Sequence, residues 1–225
     1  MTIWYHDFYQ MQPDIIFGLV ILIISVILHE VAHGYMANWL GDPTARLSGR
    51  LTLNPASHID PVGSVLLPLV LTLTHSPFLI GYAKPVPYNP YNLPGKYDEG
   101  LVAFAGPGTN IIIAVIFGLV VRFAGATLSP ALVSACTIIV IINLVLAIFN
   151  LIPIPPLDGS KVLGSIFGAI SHRLARGYDN FTINFQRLGL LPMLLVVYAV
   201  FYLVLQPYFI GFLTWALRLL TGLSL

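Results

Sequence analysis

Long apolar runs constrain the fold of this chain more than any other feature of its sequence. Stretches of about twenty apolar residues recur along the 225 residues, and each is long enough to cross the hydrocarbon core of a bilayer as a helix. Charged residues make up only 8% of the chain, against about 25% in soluble domains. Because only helices and closed barrels satisfy their own backbone hydrogen bonds inside a membrane, the sequence predicts an all-α integral membrane protein.

Turn residues divide the apolar runs into about five to six transmembrane or re-entrant helices, each of spanning or near-spanning length. The clearest spans are residues 15–40, 101–123 and 131–150. Residues 62–80 are apolar but interrupted by glycine and prolines, which favours a re-entrant segment over a true span. Residues 188–225 are interrupted at Gln206-Pro207, so they cross the membrane either once as a kinked helix or twice as a hairpin.

Two turn-rich segments predict a small membrane-associated β element. Leucines alternate with polar residues in RLTLN, residues 50–54, as in a short half-buried strand. Residues 82–90, YAKPVPYNP, are too rich in proline for a helix and suit an extended edge segment.

We find no linker or internal repeat, so the sequence predicts a single domain over residues 1–225. Because the N-terminus lacks the basic flank of a secretory signal, the first apolar run is expected to stay in the mature protein.

The basic residues predict an orientation in the membrane. If the N-terminus is outside and residues 62–80 return to the face they enter from, Arg122 lies outside and eight basic residues share the opposite side, which the positive-inside rule makes cytoplasmic. These eight are Arg46, Arg50, Lys84, Lys96, Lys161, Arg173, Arg176 and Arg187.

The formal net charge of +1 and the lack of a basic stripe argue against nucleic-acid binding. The single cysteine, Cys136, excludes an internal disulfide and suits a core position.

The first apolar run contains the sequence HEVAH, residues 29–33. On a helix His29 and His33 project from the same face, and one turn separates their imidazoles by a distance that zinc can bridge. Glu30 then lies beside the open coordination position, as a general base that can activate water. Because ionisable side chains inside a membrane are costly, the pattern indicates a functional zinc site rather than a polar patch between helices.

A zinc site of this kind needs a third protein ligand. The candidates are His58, Asp60, His75, Asp98, Glu99 and Asp158. The predicted topology favours Asp158, because the proline-rich stretch NLIPIPPLDG follows a helix that runs in the same direction as the HEVAH helix. Irregular backbone at membrane depth is tolerated where protein buries it or where it lines a wet cavity.

Three motifs together resemble the site-2 protease family of intramembrane zinc metalloproteases, peptidase type M50. They are HEVAHG at 29–34, FAGPGTN at 104–110 and FNLIPIPPLDG at 149–159, with Gly108 where a bulky residue is commoner. The resemblance implies that His29, His33 and Asp158 bind one zinc ion per chain and that Glu30 is the catalytic base. It also implies that Asn150 lies near the metal and steadies an oxyanion. The length leaves no room for the PDZ or CBS domains of many relatives, so a compact form is expected.

Weaker signals surround these motifs. Asn110 is a candidate for holding the substrate backbone, with a helix cap or an interhelical hydrogen bond as the equal alternative. Lys84, Pro85 and Val86 are candidates for binding an extended substrate as an added strand, or else form a plain loop. His58 and Asp60 either support the metal ligands or, as we favour, organise a turn.

The sequence thus predicts a membrane hydrolase, a zinc metalloprotease that cuts peptide bonds within or near transmembrane segments of other membrane proteins. Its partners are the lipid bilayer and such a segment, which must unwind locally because helical carbonyls are already hydrogen-bonded. The alternative is a zinc-binding carrier or scaffold without protease activity, and a helical membrane protein without metal is a distant third. A multi-pass location in a prokaryotic cell membrane, with the active site toward the cytoplasm, is expected. The substrate, the gate that admits it and the oligomeric state, a homo-oligomer included, are left open.

Overall fold

The computed structural model describes residues 15–66, residue 73 and residues 83–223. Over these residues the regular structure is entirely helical. The α-helices are α1 (Ile15–Trp39), α2 (Thr44–Leu47), α3 (Asp98–Ala124), α4 (Pro130–Asn150), α5 (Asp158–Ile170), α6 (His172–Gln186), α7 (Leu190–Val200) and α8 (Gln206–Thr221). Short 3₁₀ turns occupy Pro55–His58 and Pro90–Asn92, and π-helical turns occupy Pro61–Leu66 and Phe201–Leu205.

Four stretches in the described part of the chain are long and apolar enough to cross a membrane. They are Ile16–Trp39, Asp98–Ala124, Pro130–Asn150 and Pro192–Thr221. The all-helical membrane class predicted from the sequence is therefore supported, whereas a count of five to six helices is not confirmed. Residues 192–221 form one continuous helical stretch, because the π-helical turn Phe201–Leu205 carries the chain past Pro207, which lacks the amide hydrogen that a regular α-helix would use.

Local sequence signals explain where several helices begin and end. Ser129 caps α4 by accepting a hydrogen bond from the amide of Leu132 at 3.4 Å, and Pro130 stands at the first helical position. Asp98 and Glu99 place negative charge in the first turn of α3, where the helix dipole favours it. Gly222 ends α8 in the left-handed conformation, with a φ of 73°.

Helix α3 lies at the centre of the molecule and packs against α1, α4, α5 and α8. Small residues allow these close approaches, as expected where lipid replaces water as the solvent. A Cβ at Gly100 would lie 2.5 Å from Oγ of Ser165 on α5, and one at Gly118 would lie 2.7 Å from Cβ of Leu220 on α8. The buried cluster between α3, α4 and α8 consists of Ala114, Val140, Leu144, Ala216 and Leu217.

The predicted β element is not confirmed, because neither residues 50–54 nor residues 83–89 form a strand. The 83–89 segment is extended, yet its amides have partners other than a neighbouring strand. The Lys84 amide donates to the carbonyl of His58 at 2.9 Å, and the Val86 amide donates to the carboxylate of Glu30 at 2.9 Å. With donors directed at a turn and at a helix side chain, the ladder that defines a sheet does not form.

Most of the predicted re-entrant segment, residues 62–80, lies outside the described residues. Its described flanks are joined by the hydrogen bond between His58 and Lys84. The described residues on either side of this segment therefore lie at the same end of the helices.

The same end of the molecule also holds the connection between α4 and α7. Lys161 of α5 donates a hydrogen bond to the hydroxyl of Tyr88 at 2.7 Å, which ties this connection to the 83–89 segment. The hydroxyl of Tyr178 on α6 donates to the carbonyl of Pro153 at 3.1 Å. The candidate site lies at this end.

Candidate metal centre

Three side chains from two distant parts of the chain meet at one point. Nε2 of His29 lies 3.1 Å from Oδ2 of Asp158, and Nε2 of His33 lies 3.3 Å from the same oxygen. The ligand atoms of all three residues lie within 4.8 Å of one another. The two histidines lie one turn apart on α1, and Asp158 is the first residue of α5.

The other candidates for a third ligand have different surroundings. His58 lies against the carbonyl of Thr52, Asp98 accepts from the amide of Gly95, and Glu99 accepts from the hydroxyl of Tyr88. His75 lies outside the described residues.

The irregular segment 151–157 positions Asp158. It leaves α4 through a series of turns, in which the amide of Ile152 donates to the carbonyl of Phe149 and that of Leu157 to the carbonyl of Ile154. Gly159 then packs directly on this segment, since a Cβ there would lie 2.2 Å from the carbonyl oxygen of Leu151. The requirement for glycine after Asp158 is therefore steric.

Hydrogen bonds at Nδ1 fix the ring orientation and the tautomer of both histidines. Nδ1 of His33 lies 2.7 Å from the backbone carbonyl of Val102. Because a carbonyl can only accept, Nδ1 carries the hydrogen. Nδ1 of His29 lies 2.6 Å from Oδ1 of Asn110. Both rings, when neutral, therefore direct the lone pair of Nε2 toward Asp158.

A buried amide network holds Asn110 in the orientation that His29 needs. Nδ2 of Asn110 donates to Oδ1 of Asn143 at 2.8 Å and lies 3.4 Å from the carbonyl of Ser25. Nδ2 of Asn143 donates to Oγ of Ser25 at 3.0 Å and to the carbonyl of Ile139 at 2.9 Å. The Ile139 carbonyl thus fixes the orientation of the Asn143 side-chain amide, and this amide fixes the orientation of Asn110. Both asparagines are fully buried.

The cluster fits a tetrahedral cation. Ligand bonds of about 2.0–2.1 Å to zinc imply separations of about 3.3–3.4 Å between neighbouring ligand atoms. The two distances to Asp158, 3.1 and 3.3 Å, match that edge length. With the hydrogens of both imidazoles on Nδ1, the three facing atoms are all acceptors, and a shared cation removes their mutual repulsion.

Gly106 on α3 provides the space in which the imidazoles lie. A Cβ at this position would lie 2.4 Å from Nε2 of His33 and 2.7 Å from Cε1 of His29. Any side chain would therefore displace the atoms that face Asp158. Sequence reasoning quoted this glycine in a motif but gave it no role, because the contact joins two helices that are distant in the chain.

A cavity of about 220 Å³ opens beside the cluster and is lined by Glu30, Pro85, Val86 and Asn150, among others. One oxygen of Glu30, Oε2, accepts the hydrogen bond from Val86, while the structure gives Oε1 no donor among the described residues. The prolines on either side of Val86 have no amide hydrogen, so residues 85–87 offer a single backbone donor, and it is directed at Glu30.

The remaining predicted site residues occupy different surroundings. Asn150 lines the cavity, with Nδ2 donating to the carbonyl of Leu146 at 2.9 Å within α4. Asn110 is 0% exposed and lies behind His29, an arrangement that corresponds to the interhelical alternative. Nη2 of Arg50 donates to the carbonyl of Lys84 at 2.8 Å. Part of the backbone of the 83–89 segment, the predicted substrate-binding edge, is therefore already hydrogen-bonded to another part of the chain.

His58 and Asp60 lie in a turn. Nε2 of His58 lies 2.9 Å from the carbonyl of Thr52. Oδ1 of Asp60 accepts from the amides of Val62 and Gly63 at 3.0 and 2.7 Å. These contacts correspond to turn organisation.

The electrostatics of the cluster keep Asp158 ionised. Burial raises the pKa of its carboxyl, but the imidazoles of His29 and His33, when a proton on Nε2 makes them cationic donors, lower it by more, so that the pKa lies well below the usual range. The ionised carboxylate is the form that coordinates metal.

Comparisons with known proteins agree with this geometry. The sequence model of peptidase family M50 matches residues 118–196, which include Asp158. A Bacillus subtilis protein named "Putative zinc metalloprotease YwhC" is 41% identical over 153 residues, covering 64% of this chain and 66% of that protein. The Mycolicibacterium smegmatis "Putative zinc metalloprotease Rip2" is 28% identical over 151 residues, covering 65% of this chain and 57% of that protein.

A third relative, "Zinc metalloprotease MJ0392" of Methanocaldococcus jannaschii, is 27% identical over 149 residues, covering 65% of this chain and 33% of that protein. The chain thus spans from a third to just under two thirds of the length of these three relatives. No solved structure matches. From the matching family model and the identity to YwhC, the chain belongs to peptidase family M50, the site-2 protease family.

Proposed function

We propose that this protein is an intramembrane zinc metalloprotease that hydrolyses peptide bonds within or near transmembrane segments of other membrane proteins. The observation that carries this proposal is the meeting of His29, His33 and Asp158 beside Glu30, in a cavity at one end of four apolar helices. The printed names of the relatives agree with a zinc-dependent protease.

His29, His33 and Asp158 would hold one zinc ion per chain through Nε2, Nε2 and a carboxylate oxygen. Zinc, when bound, supplies Lewis-acid chemistry, because it polarises a carbonyl oxygen and makes water more acidic. The buried amides behind His29 and the Val102 carbonyl behind His33 keep both rings oriented for this task.

Glu30 would act as the general base and Asn150 would help to bind the oxyanion. Oε1 of Glu30 takes the proton from the attacking water and passes it to the amine nitrogen as the C–N bond breaks. The bond from the Val86 amide to Oε2 fixes the carboxylate while that proton moves. Asn150 lines the same cavity and retains one N–H beyond the bond to Leu146.

The substrate would reach the site as an unwound segment of a membrane helix. Pro85 and Val86 line the cavity, and Lys84 lies at the start of the same extended segment. Strand addition along this edge would use the Val86 carbonyl and the Tyr88 amide, since the backbone groups of Lys84 are bonded to His58 and Arg50. The proposed location is a prokaryotic cell membrane with the site toward the cytoplasm, which the clustering of basic residues at that end supports.

The test combines metal analysis with cleavage of a membrane-embedded reporter in proteoliposomes, for wild type and Glu30→Gln. We expect one zinc per chain in both proteins and cleavage in wild type alone, because Glu30 supplies the base and no metal ligand. Zinc in both proteins with equal cleavage would contradict the role of Glu30. Zinc in both with no cleavage of any transmembrane reporter would favour a carrier or scaffold, and wild type without zinc would refute the proposal.

A further inference from the structure

Beside the metal cluster, three polar side chains form a chain of hydrogen bonds that the proposed function does not use. Nζ of Lys161 donates to the hydroxyl of Tyr88 at 2.7 Å, and this hydroxyl donates to Oε1 of Glu99 at 3.0 Å. The ammonium group also lies 4.7 Å from the centre of the Tyr88 ring, within the range of a cation–π contact. The three residues come from α5, the 83–89 segment and α3, so tertiary structure assembles them.

Lys161 faces the reaction cavity. It follows Asp158 by three residues on α5, a spacing that puts both side chains on one face of the helix. Lys161 and Tyr88 both line the cavity that contains Glu30 and Asn150. Apart from the two histidines, Lys161 is the cationic side chain among the described residues that line it.

The hydroxyl of Tyr88 holds the ammonium of Lys161 in place and leaves most of the N–H donors of that ammonium available. Burial raises the pKa of the Tyr88 phenol, and the neighbouring carboxylates of Glu99 and Asp158 raise it further, so the hydroxyl stays protonated. A protonated hydroxyl that donates to Glu99 can accept from Lys161, which fixes the direction of both bonds. An ammonium has three N–H donors, and the structure gives Lys161 one acceptor among the described residues, namely Tyr88.

Peptide hydrolysis requires donors where the carbonyl oxygen gains negative charge. Asn150 offers one N–H after its bond to Leu146, and it enters the cavity from the end of α4. Lys161 enters from the first turn of α5 with a full positive charge. We propose that Lys161 is a further catalytic residue, whose ammonium stabilises the negative charge on the scissile carbonyl oxygen, and that Tyr88 is the residue that positions it. This inference rests on the proposed protease function.

The experiment measures kcat, KM and zinc content with the membrane-embedded reporter for Lys161→Met and a matched control, Lys96→Met. Lys96 lies 5.6 Å from the ring of Tyr97 in a similar cation–π contact, but it does not line the cavity. We expect Lys161→Met to lower kcat by about 10²–10³-fold, with KM changed by less than about threefold and zinc retained. Lys96→Met should leave all three quantities as in wild type.

The role of Tyr88 is tested with Tyr88→Phe, alone and combined with Lys161→Met, against Tyr97→Phe. Alone, Tyr88→Phe should lower kcat by about tenfold with KM unchanged, as expected for loss of preorganisation. In the Lys161→Met background it should have no further effect, because Tyr88 acts through Lys161. A second substitution, Lys161→Arg, keeps the charge and should recover part of kcat if charge is what the site needs.

Defined results would overturn this assignment. A Lys161→Met protein with kcat within about threefold of wild type has lost no transition-state stabilisation, and a higher KM with unchanged kcat would show ground-state binding only. Equal losses for Lys161→Met and Lys161→Arg together with loss of zinc would show a structural role. Failure of the protease function itself is distinguished by wild type and Glu30→Gln, which would then show the same lack of cleavage.

Discussion

The two ring nitrogens of each histidine in the proposed metal centre have different partners. Nε2 faces Asp158, while Nδ1 is held by Asn110 in one case and by the Val102 carbonyl in the other. Replacing Asn110 by Ala leaves His29 free to rotate and to change tautomer. We therefore expect Asn110→Ala to weaken zinc affinity about 10–100-fold, measured by competition with a chelator of known affinity.

The control for Asn110→Ala removes a buried polar group that has no link to the cluster. Thr137 on α4 is also buried, at 3% exposed, and its hydroxyl donates within its own helix to the carbonyl of Val133 at 2.7 Å. Thr137→Val should leave zinc affinity unchanged. If both substitutions weakened zinc binding equally, the effect would be a general loss of packing, and the orienting role of Asn110 would be refuted.

Gly106 has a steric role that a single methyl group would test. Because a Cβ there would lie 2.4 Å from Nε2 of His33, Gly106→Ala should abolish stoichiometric zinc and with it cleavage. Gly108 on the same helix is the control, since its nearest neighbour is the partly exposed ring of Phe104 at 3.2 Å, which can move. Zinc content by elemental analysis should fall for Gly106→Ala and stay near one per chain for Gly108→Ala. Normal zinc in Gly106→Ala would contradict the close contact.

At the scale of elements, Asp42 ties the end of α1 to the segment around Pro90–Asn92. Its carboxylate, 0% exposed, accepts hydrogen bonds from Thr44, from the Asn89 amide at 2.6 Å and from Nδ2 of Asn92 at 2.7 Å. Burial raises the pKa of this carboxyl, but these hydrogen bonds lower it by more, so the pKa lies below its ordinary value. The ionised group therefore stabilises the folded state.

The lowered pKa of Asp42 determines how its contribution to the free energy of unfolding depends on pH. With a folded-state pKa below the unfolded value, its contribution is fully present above about pH 4 and is lost as the pH falls through the folded-state pKa. Asp42→Asn should cost about 2 kcal/mol near neutral pH and reduce the loss of stability on acidification. Thermal unfolding in detergent between about pH 6 and pH 3 measures both effects. Asp179→Asn, on the exposed surface of α6, is the control, and equal acid sensitivity in wild type and Asp42→Asn would contradict this role.

The sequence predicted the elements that depend on local patterns and missed those that depend on tertiary partners. The spans and the irregular stretch before Asp158 follow from apolar runs, prolines and glycines, which act on the chain locally. Residues 82–90 are predicted as a sheet edge, but the amides of Val86 and Lys84 are directed at Glu30 and at the turn around His58. Nothing in the local pattern indicates these partners.

The residues of the candidate site also divide into those that local sequence patterns predict and those that depend on tertiary contacts. The spacing of His29 and His33 is a property of one helix, so periodicity alone brings them together. Asn143 and Ser25 went unrecognised, although an amide in the middle of an apolar helix is itself a signal that it has a buried partner. Gly106 could not be assigned a contact without knowing that α3 crosses α1 at the histidines.

At the scale of the whole molecule, the fold places most basic residues at one end of the long apolar helices. The loops after α1 and before α3 lie at one end with the α4–α7 connection, as the contacts of His58, Tyr88 and Lys161 show. Eight of the ten basic residues belong to these segments, and the other two, Arg122 and Arg218, lie near the opposite ends of α3 and α8. Such an asymmetry orients a membrane protein with the basic end in the cytoplasm. The proposed metal centre lies toward that end, so the soluble compartment on that side would supply the water for hydrolysis.

Site-directed labelling measures this orientation directly. In a Cys136→Ala background, single cysteines replace three exposed residues: Ser48 and Asn180 at the basic end, and Ala126 between α3 and α4. A membrane-impermeant maleimide should label Ser48→Cys and Asn180→Cys only in inverted vesicles, and Ala126→Cys only in right-side-out vesicles. Labelling of Ser48→Cys and Ala126→Cys from the same side would contradict the arrangement of α3. The reverse pattern at all three positions would keep the fold but place the metal centre on the outer face, where the charge asymmetry does not predict it.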